Sequence, residues 1–336
     1  MDAERVAAAL SAVVNDTVTV KHIGRRGVAH TAGLSTMRLA GRTVTVAWLP
    51  TGWPRQVRDV LARAAVPDLV AAPELSAGAR RVASEAGMGW FDETGAAQIL
   101  LGPIVVVRDG TPARRLDTNL GWRPGTLAVC EALLMGCEAT VEALRNRTDL
   151  AASTVADALK FLQGQQLVTA SASRGRNAGR AITDTSQLVE AYAAAAQRLR
   201  TPVSLRVGVL WRDPVADAAA AGQFWHEAGL AWSATSALSA DVMAPFLTEV
   251  SPMEIYVGRR HLSGLRQAAA AANLAEMAGG RLVLRPFPTP AEAALSTELR
   301  PGFWSVPWPR VYADLRATGV RGEDAAEYLR DELGDG

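Results

Sequence analysis

Residues 125–184 read GTLAVCEALLMGCEATVEALRNRTDLAASTVADALKFLQGQQLVTASASRGRNAGRAITD. Three short helical periods followed by two strand-like runs are written into this stretch. Between Thr126 and Met135, Leu127, Cys130, Leu133 and Leu134 fall largely on one side, as a core-facing helix requires, and Gly136 ends the run. Thr140 to Arg147 gives a second helix with Val141 and Leu144 inward, and Thr148-Asp149-Leu150 makes the turn. A third helix is expected from about Ala152 to Gln163. Its Val155, Leu159 and Leu162 recur at spacings of four and three, which leaves Ser153, Thr154, Ala156, Asp157 and Lys160 facing out. Leu167 to Ser171 then reads as a strand, Arg174 to Arg180 as a glycine-containing turn, and Ala181 to Asp184 as the returning strand.

That order is the order of a winged helix-turn-helix, a motif that lays its third helix in the DNA major groove with a hairpin loop beside it. Small and hydroxyl side chains early in the third helix, Ser153 and Thr154, suit close approach to base edges and phosphates, and Asp157 and Lys160 share their face. Arg174, Arg176 and Arg180, with Asn177 between them, place cations on a turn that can reach phosphate or an adjacent minor groove. The plain alternative is a helical bundle with a solvated polar face and a charged hairpin. The position of the arginines directly after three helices favours the DNA reading.

The run from Thr148 to Leu162, TDLAASTVADALKFL, followed by Gln166-Leu167-Val168, resembles bacterial winged-helix regulators of the MarR and IclR type. The resemblance implies a sequence-specific transcriptional regulator that binds double-stranded DNA. A homodimer is expected, because one winged helix covers few base pairs and two-fold symmetry doubles the interface. This chain departs from the pattern twice. Ala151 stands where the family has a serine helix cap, a loss of about 1 kcal/mol of helix stability. Gln166 stands where the family has glycine, so the turn there is expected to be strained or differently shaped.

The flanks read as α/β domains, giving a multi-domain α/β chain divided at 1–120, 121–185 and 186–336. After a helix from Arg5 to Val14, the first domain reads β-α-β-α-β-β: Thr43 to Leu49, a helix beginning at Pro54, Asp68 to Ala72, Leu75 to Ala86, and a hairpin of Ala97 to Leu101 with Ile104 to Arg108. This order resembles the restriction-endonuclease-like fold. Such nucleases gather two acids and usually a lysine around magnesium. Asp68, Glu74, Asp92 and Glu93 are the candidate acids, yet the domain has no lysine after Lys21. Turn and cap roles for these acids, and an inactive scaffold rather than an enzyme, are therefore expected. The segment from Thr111 to Trp122 reads as a linker.

After a helix from Ser186 to Arg200, the third domain shows strands at Val203 to Trp211, Met253 to Arg259 and Arg281 to Pro286. Helices are expected at Ala216 to Gly229, His261 to Gly279 and Arg321 to Leu333. The phrases Trp232 to Leu238 (WSATSAL), Glu254 to Val257 (EIYV), Val311 to Leu315 (VYADL) and Arg321 to Ala326 (RGEDAA) resemble the C-terminal part of AbiEi-type antitoxin regulators of type IV toxin–antitoxin systems. In that family the winged helix is usually N-terminal, whereas about 120 residues precede it here. Asp213, Asp217, His226 and Glu227 lie close in sequence but form no recognised catalytic spacing. The aromatic segments Phe224 to Trp232 and Phe303 to Trp308 read as core, with a ligand pocket for a small-molecule or protein effector as the alternative.

A net charge of +1 argues against indiscriminate coating of nucleic acid, so any DNA contact must come from local charge. Cys130 and Cys137 provide neither a disulfide framework nor a zinc pattern. No cofactor, metal or membrane partner is expected, no signal peptide is read at the start, and cytoplasmic, nucleoid-associated placement is the expectation.

Overall fold

The computed structural model describes residues 3–14, 20–26, 34–109, 121–170, 180–247, 249–258, 261–289 and 291–334; for 3, 20–26 and 292 it describes the backbone alone. The architecture is multi-domain α/β with mixed sheets, in two compact units, Met1–Asp117 and Thr118–Gly336.

In the first unit the described elements run α1 (Ala3–Val13), β1 (Val20–Arg26), β2 (Leu34–Leu39), β3 (Arg42–Trp48), α2 (Pro54–Leu61), β4 (Leu69–Ala72), α3 (Ala77–Glu85), β5 (Gly89–Asp92), β6 (Ala97–Leu101) and β7 (Ile104–Arg108). The strands form one sheet in chain order. Strands β3, β4 and β5 are parallel and the outer pairings antiparallel. Strand alternation sorts the core into two layers. Val46, Trp48, Leu69 and Ala71 pack with Val6, Leu10 and Val13 of α1. Their neighbours Ala47, Leu49, Val70 and Ala72 pack with Val57 and Val60 of α2 and Ala79 and Ala83 of α3.

Two strands, β1 and β2, precede those read from the sequence, and a further strand, β5, lies between α3 and β6. The β2–β3 hairpin turns through Ala40 (φ 48°) and Gly41 (φ 81°), with Leu39 opposite Arg42. Positive φ at both central residues is what a two-residue hairpin demands. An alanine in the first of them gave no turn signal.

The second unit begins with α4 (Pro124–Leu134), α5 (Val141–Thr148), α6 (Ala152–Gly164), β8 (Val168–Ala170), β9 (Arg180–Ile182) and α7 (Thr185–Arg198). It continues through β10 (Leu205–Gly208), α8 (Pro214–Glu227), β11 (Trp232–Thr235), α9 (Ser236–Met243), β12 (Met253–Val257), α10 (Leu262–Ala271), β13 (Ala275–Glu276) and β14 (Leu282–Arg285). It closes with α11 (Ala291–Leu295), β15 (Thr297–Arg300), β16 (Phe303–Ser305), α12 (Trp308–Leu315) and α13 (Val320–Leu333). Seven strands form a mixed sheet in the order β13-β10-β14-β12-β11-β16-β15.

One face of this sheet packs Met253, Ile255 and Val257 against Trp225 of α8 and Leu265 of α10. The other face contributes Tyr256 to a second apolar cluster. That cluster runs through Leu127 and Val129 of α4, Val155 and Leu159 of α6, Tyr192 of α7, Val311 of α12 and Leu329 of α13. One core therefore serves both the three helices α4–α6 and the sheet beyond them.

The helix expected over His261 to Gly279 stops at Ala271. Asn273 adopts φ 55°, its N–H bonds Ala270 O at 3.1 Å, and Leu274 N–H reaches back to Ala269 O at 2.9 Å. Asparagine tolerates the left-handed region well enough to end a helix there, releasing the chain into β13.

Candidate nucleic-acid interface

Helix α4 starts with a proline whose missing N–H would be unpaired there in any case. It is buried at every position from Thr126 to Leu133, so it is surrounded by other elements rather than lying on the surface. Helix α5 is capped by Thr140, whose hydroxyl accepts from Ala143 N–H at 3.2 Å, and it ends at Asp149 in the left-handed conformation (φ 55°). That residue re-aims the chain into α6 within three positions.

On α6, Val155, Ala158, Leu159 and Leu162 are buried. Ser153, Thr154, Asp157 and Lys160 are all exposed, as are Ala152 and Ala156. The 3.6-residue period alone produces this division. At the start of α6, Ala151 is extended and supplies no side-chain cap. At the end, Gln166 adopts φ 60°. Its N–H bonds Gln163 O at 3.0 Å, and Leu167 N–H bonds Leu162 O at 3.0 Å. This is the Schellman closure with glutamine in the place glycine usually fills, so the geometry is kept at a strain of about 1 kcal/mol.

Strands β8 and β9 pair antiparallel, with Thr169 opposite Ala181 and Ala170 opposite Arg180. Arg180 opens the returning strand, in the last described pair before the connection between the two strands. Its N–H bonds Ala139 O at 3.2 Å, and its Nε donates to Gln163 Oε1 at 3.1 Å, which ties the hairpin to the last turn of α6. Arg174, Arg176 and Asn177 lie outside the described residues.

Beneath this surface a set of buried ion pairs joins the helices to the sheet. Arg310 of α12 donates from Nε (3.1 Å) and Nη2 (2.8 Å) to Glu131 Oε1 of α4, and the Tyr192 hydroxyl of α7 donates to the same oxygen. Glu131 Oε2 accepts no hydrogen bond among the described residues. Burial pushes the Glu131 carboxyl above its ordinary value, while Arg310 and Tyr192 pull it down. Close by, Asp314 Oδ2 accepts from Thr235 Oγ1 at 2.7 Å and from the Tyr256 hydroxyl at 2.8 Å. Glu254 accepts from Arg200 at 2.8 Å and from Arg285 at 3.3 Å, and burial raises its carboxyl too. Sequence reasoning missed all of this, because nothing marks partners 179 positions apart.

The acids considered for magnesium have other work. Asp92 is fully buried and accepts from Leu75 N–H (3.2 Å), Arg80 Nη2 (2.9 Å), Thr94 N–H (3.0 Å), the Thr94 hydroxyl and Ala96 N–H (3.3 Å). Asp68 accepts from the N–H (2.7 Å) and hydroxyl (2.8 Å) of Thr45, and Glu93 pairs with Arg5. Among the described residues no three His, Cys, Asp or Glu side chains are grouped as a metal would need. No described helix is long and apolar enough to cross a membrane.

The sequence cluster around His226 separates in space. Asp213 caps the start of α8 through Ala216 N–H at 3.1 Å, and Asp217 accepts from Arg212 N–H at 3.0 Å. His226 and Glu227 lie at the far end of that helix, roughly 20 Å away at 1.5 Å per residue. There they line a cavity of about 490 Å³. Trp232 and Trp304 line the same cavity, so the two aromatic segments singled out in the sequence do meet, while Trp225 and Phe303 are core.

Comparison with known proteins adds no relative: no protein-family model, no curated protein and no solved structure matches the chain.

Proposed function

We propose that the chain is a sequence-specific DNA-binding regulator in which α4–α6 with the β8–β9 hairpin act as a winged helix-turn-helix. One observation carries the reading. The polar stripe Ser153, Thr154, Asp157 and Lys160 stays in solvent along α6, whose last turn is tied to the hairpin at Arg180, while the opposite stripe is locked in the core. The start of α6 has no side-chain cap, so its first amides are open to a phosphate oxygen, which favours a helix N-terminus. In this reading Ser153, Thr154, Asp157 and Lys160 face the major groove. Arg174, Arg176, Asn177 and Arg180 hold phosphate or the neighbouring minor groove, and two copies bind a two-fold site. The first unit serves as a scaffold, since its acids already hold turns and strands together.

The test is capture of bound DNA across a genome, then gel-shift titration on the recovered site over a range of salt. Replacing Arg174, Arg176 and Arg180 together by alanine is expected to weaken binding and flatten the plot of log affinity against log salt by up to about 3, near 0.9 per phosphate released. An unchanged slope removes the hairpin from the interface.

A second reading, an antitoxin-type regulator, has support of its own. The phrases WSATSAL, EIYV and VYADL, which carry that resemblance, come together at Asp314 through Thr235 and Tyr256. Co-expression with a nucleotidyltransferase-type toxin encoded beside it tests this: relief of growth arrest supports the role, and undiminished arrest rejects it.

A further inference from the structure

The cavity at the end of α8 is built rather than incidental. Its back wall is the Trp232 indole, braced by Trp225 (ring centroids 5.6 Å) and by Phe303 edge-on (6.3 Å). Gly222 lets that indole lie flat on α8, since a Cβ there would come within 2.1 Å of the ring. At the mouth stands Trp304, 40% exposed although large and apolar. Gln223, His226, Glu227 and Ser296 provide the polar groups. Among the described residues the lining includes the Glu227 carboxylate and neither guanidinium nor ammonium, which favours a cation over an anion there.

The remaining wall leads back to the helices. Ala293 and Ser296 line the cavity from α11 and the residue that follows it, while Ala291 and Leu295 of the same helix sit in the core shared with α4–α6. Arg147 of α5 clasps α11 by donating from Nη1 to Ala294 O at 2.8 Å.

We infer that this cavity is an effector site for an arylalkyl ammonium, its ring stacked on Trp304 and Trp232 with its charged nitrogen at Glu227, and that α11 passes its occupancy to α5. The volume suits a small ligand, and aromatic faces next to a carboxylate attract a cation through both ring quadrupole and charge. The word effector rests on the DNA-binding reading above; binding and its transmission to α5 do not.

Calorimetry on the full chain with tryptamine, neutral indole and indole-3-acetate separates stacking from charge. Tryptamine is expected to bind at least about tenfold more tightly than indole-3-acetate, with indole between them. Glu227→Gln removes that preference, and Trp304→Ala weakens all three. Both positions are exposed, and an unchanged melting curve verifies each fold. Hydrogen exchange then reads α5: saturating tryptamine slows the amides of residues 144–149 by at least about threefold. Arg147→Ala abolishes the slowing while binding persists. Absence of binding by all three probes, equal binding by all three, or full binding in both variants overturns the site. Unaltered α5 exchange in the saturated chain overturns its role as an effector site. Neither measurement uses DNA, so each stands apart from failure of the gel-shift.

Discussion

Two buried carboxylates, one in each unit, solve the same problem in opposite ways. Asp92 finds all its donors within 17 residues, and both of its oxygens are covered. Glu131 finds its donors 61 and 179 residues away, on α7 and α12, and its other oxygen accepts no hydrogen bond among the described residues. The first is a local brace for a turn. The second is a joint between α4, the first helix of the candidate interface, and the helices α7 and α12. Neighbourly hydrogen bonds secure a loop; distant ones make separate elements depend on one another.

The largest expected effect comes from Glu131→Ala. Removing the carboxylate that accepts two hydrogen bonds from buried Arg310 is expected to cost about 3–5 kcal/mol, and faster hydrogen exchange should spread through α4, α7 and α12 together. Urea titration gives the magnitude. Acceleration confined to α4 would show that the joint does not couple the helices. Asp92→Ala is expected to cost about 2–3 kcal/mol, with faster exchange in β4–β6 only and the same affinity for DNA. Spread into α4–α7 would erase the contrast.

Acidity sharpens it further. Glu131 and Glu254 hold their protons to higher pH in the fold than in the unfolded chain, whose carboxyls titrate near 4.5. Their contribution to stability is complete below that value and is lost as pH rises through the raised ones. Glu131→Gln should therefore give a shallower decline as pH rises above about 4.5 than the unaltered chain, read from urea midpoints along the rise. A steeper decline in the variant would reverse the sign assigned to burial. The smallest effect is a gain: Gln166→Gly relieves the left-handed strain after α6 and is expected to add about 1 kcal/mol, seen as a higher melting temperature.

What the sequence disclosed follows the same line between near and far. The buried and exposed stripes of α6 could be read residue by residue, because they need only a period. The β6–β7 hairpin was legible as two apolar runs, Ala97 to Leu101 and Ile104 to Arg108. The strand β2 was hidden by a turn at Ala40, and the end of α10 by an asparagine acting as a glycine. The pairing of Glu131 with Arg310 was invisible, as was the cavity that brings Glu227 to Trp304. Such contacts are made by tertiary folding, and no local pattern records them.

Helix α4 is enclosed over eight consecutive residues, and this limits how the proposed reading head could work. It cannot swivel on a stalk, because its first helix is cast into the same block as α7 and α12. To fit a bent duplex, the protein would have to shift the whole block and leave fine adjustment to the hairpin. A fragment cut out as residues 121–185 would leave Leu127, Val129 and Leu133 without the neighbours that keep water off them, and should clump rather than bind.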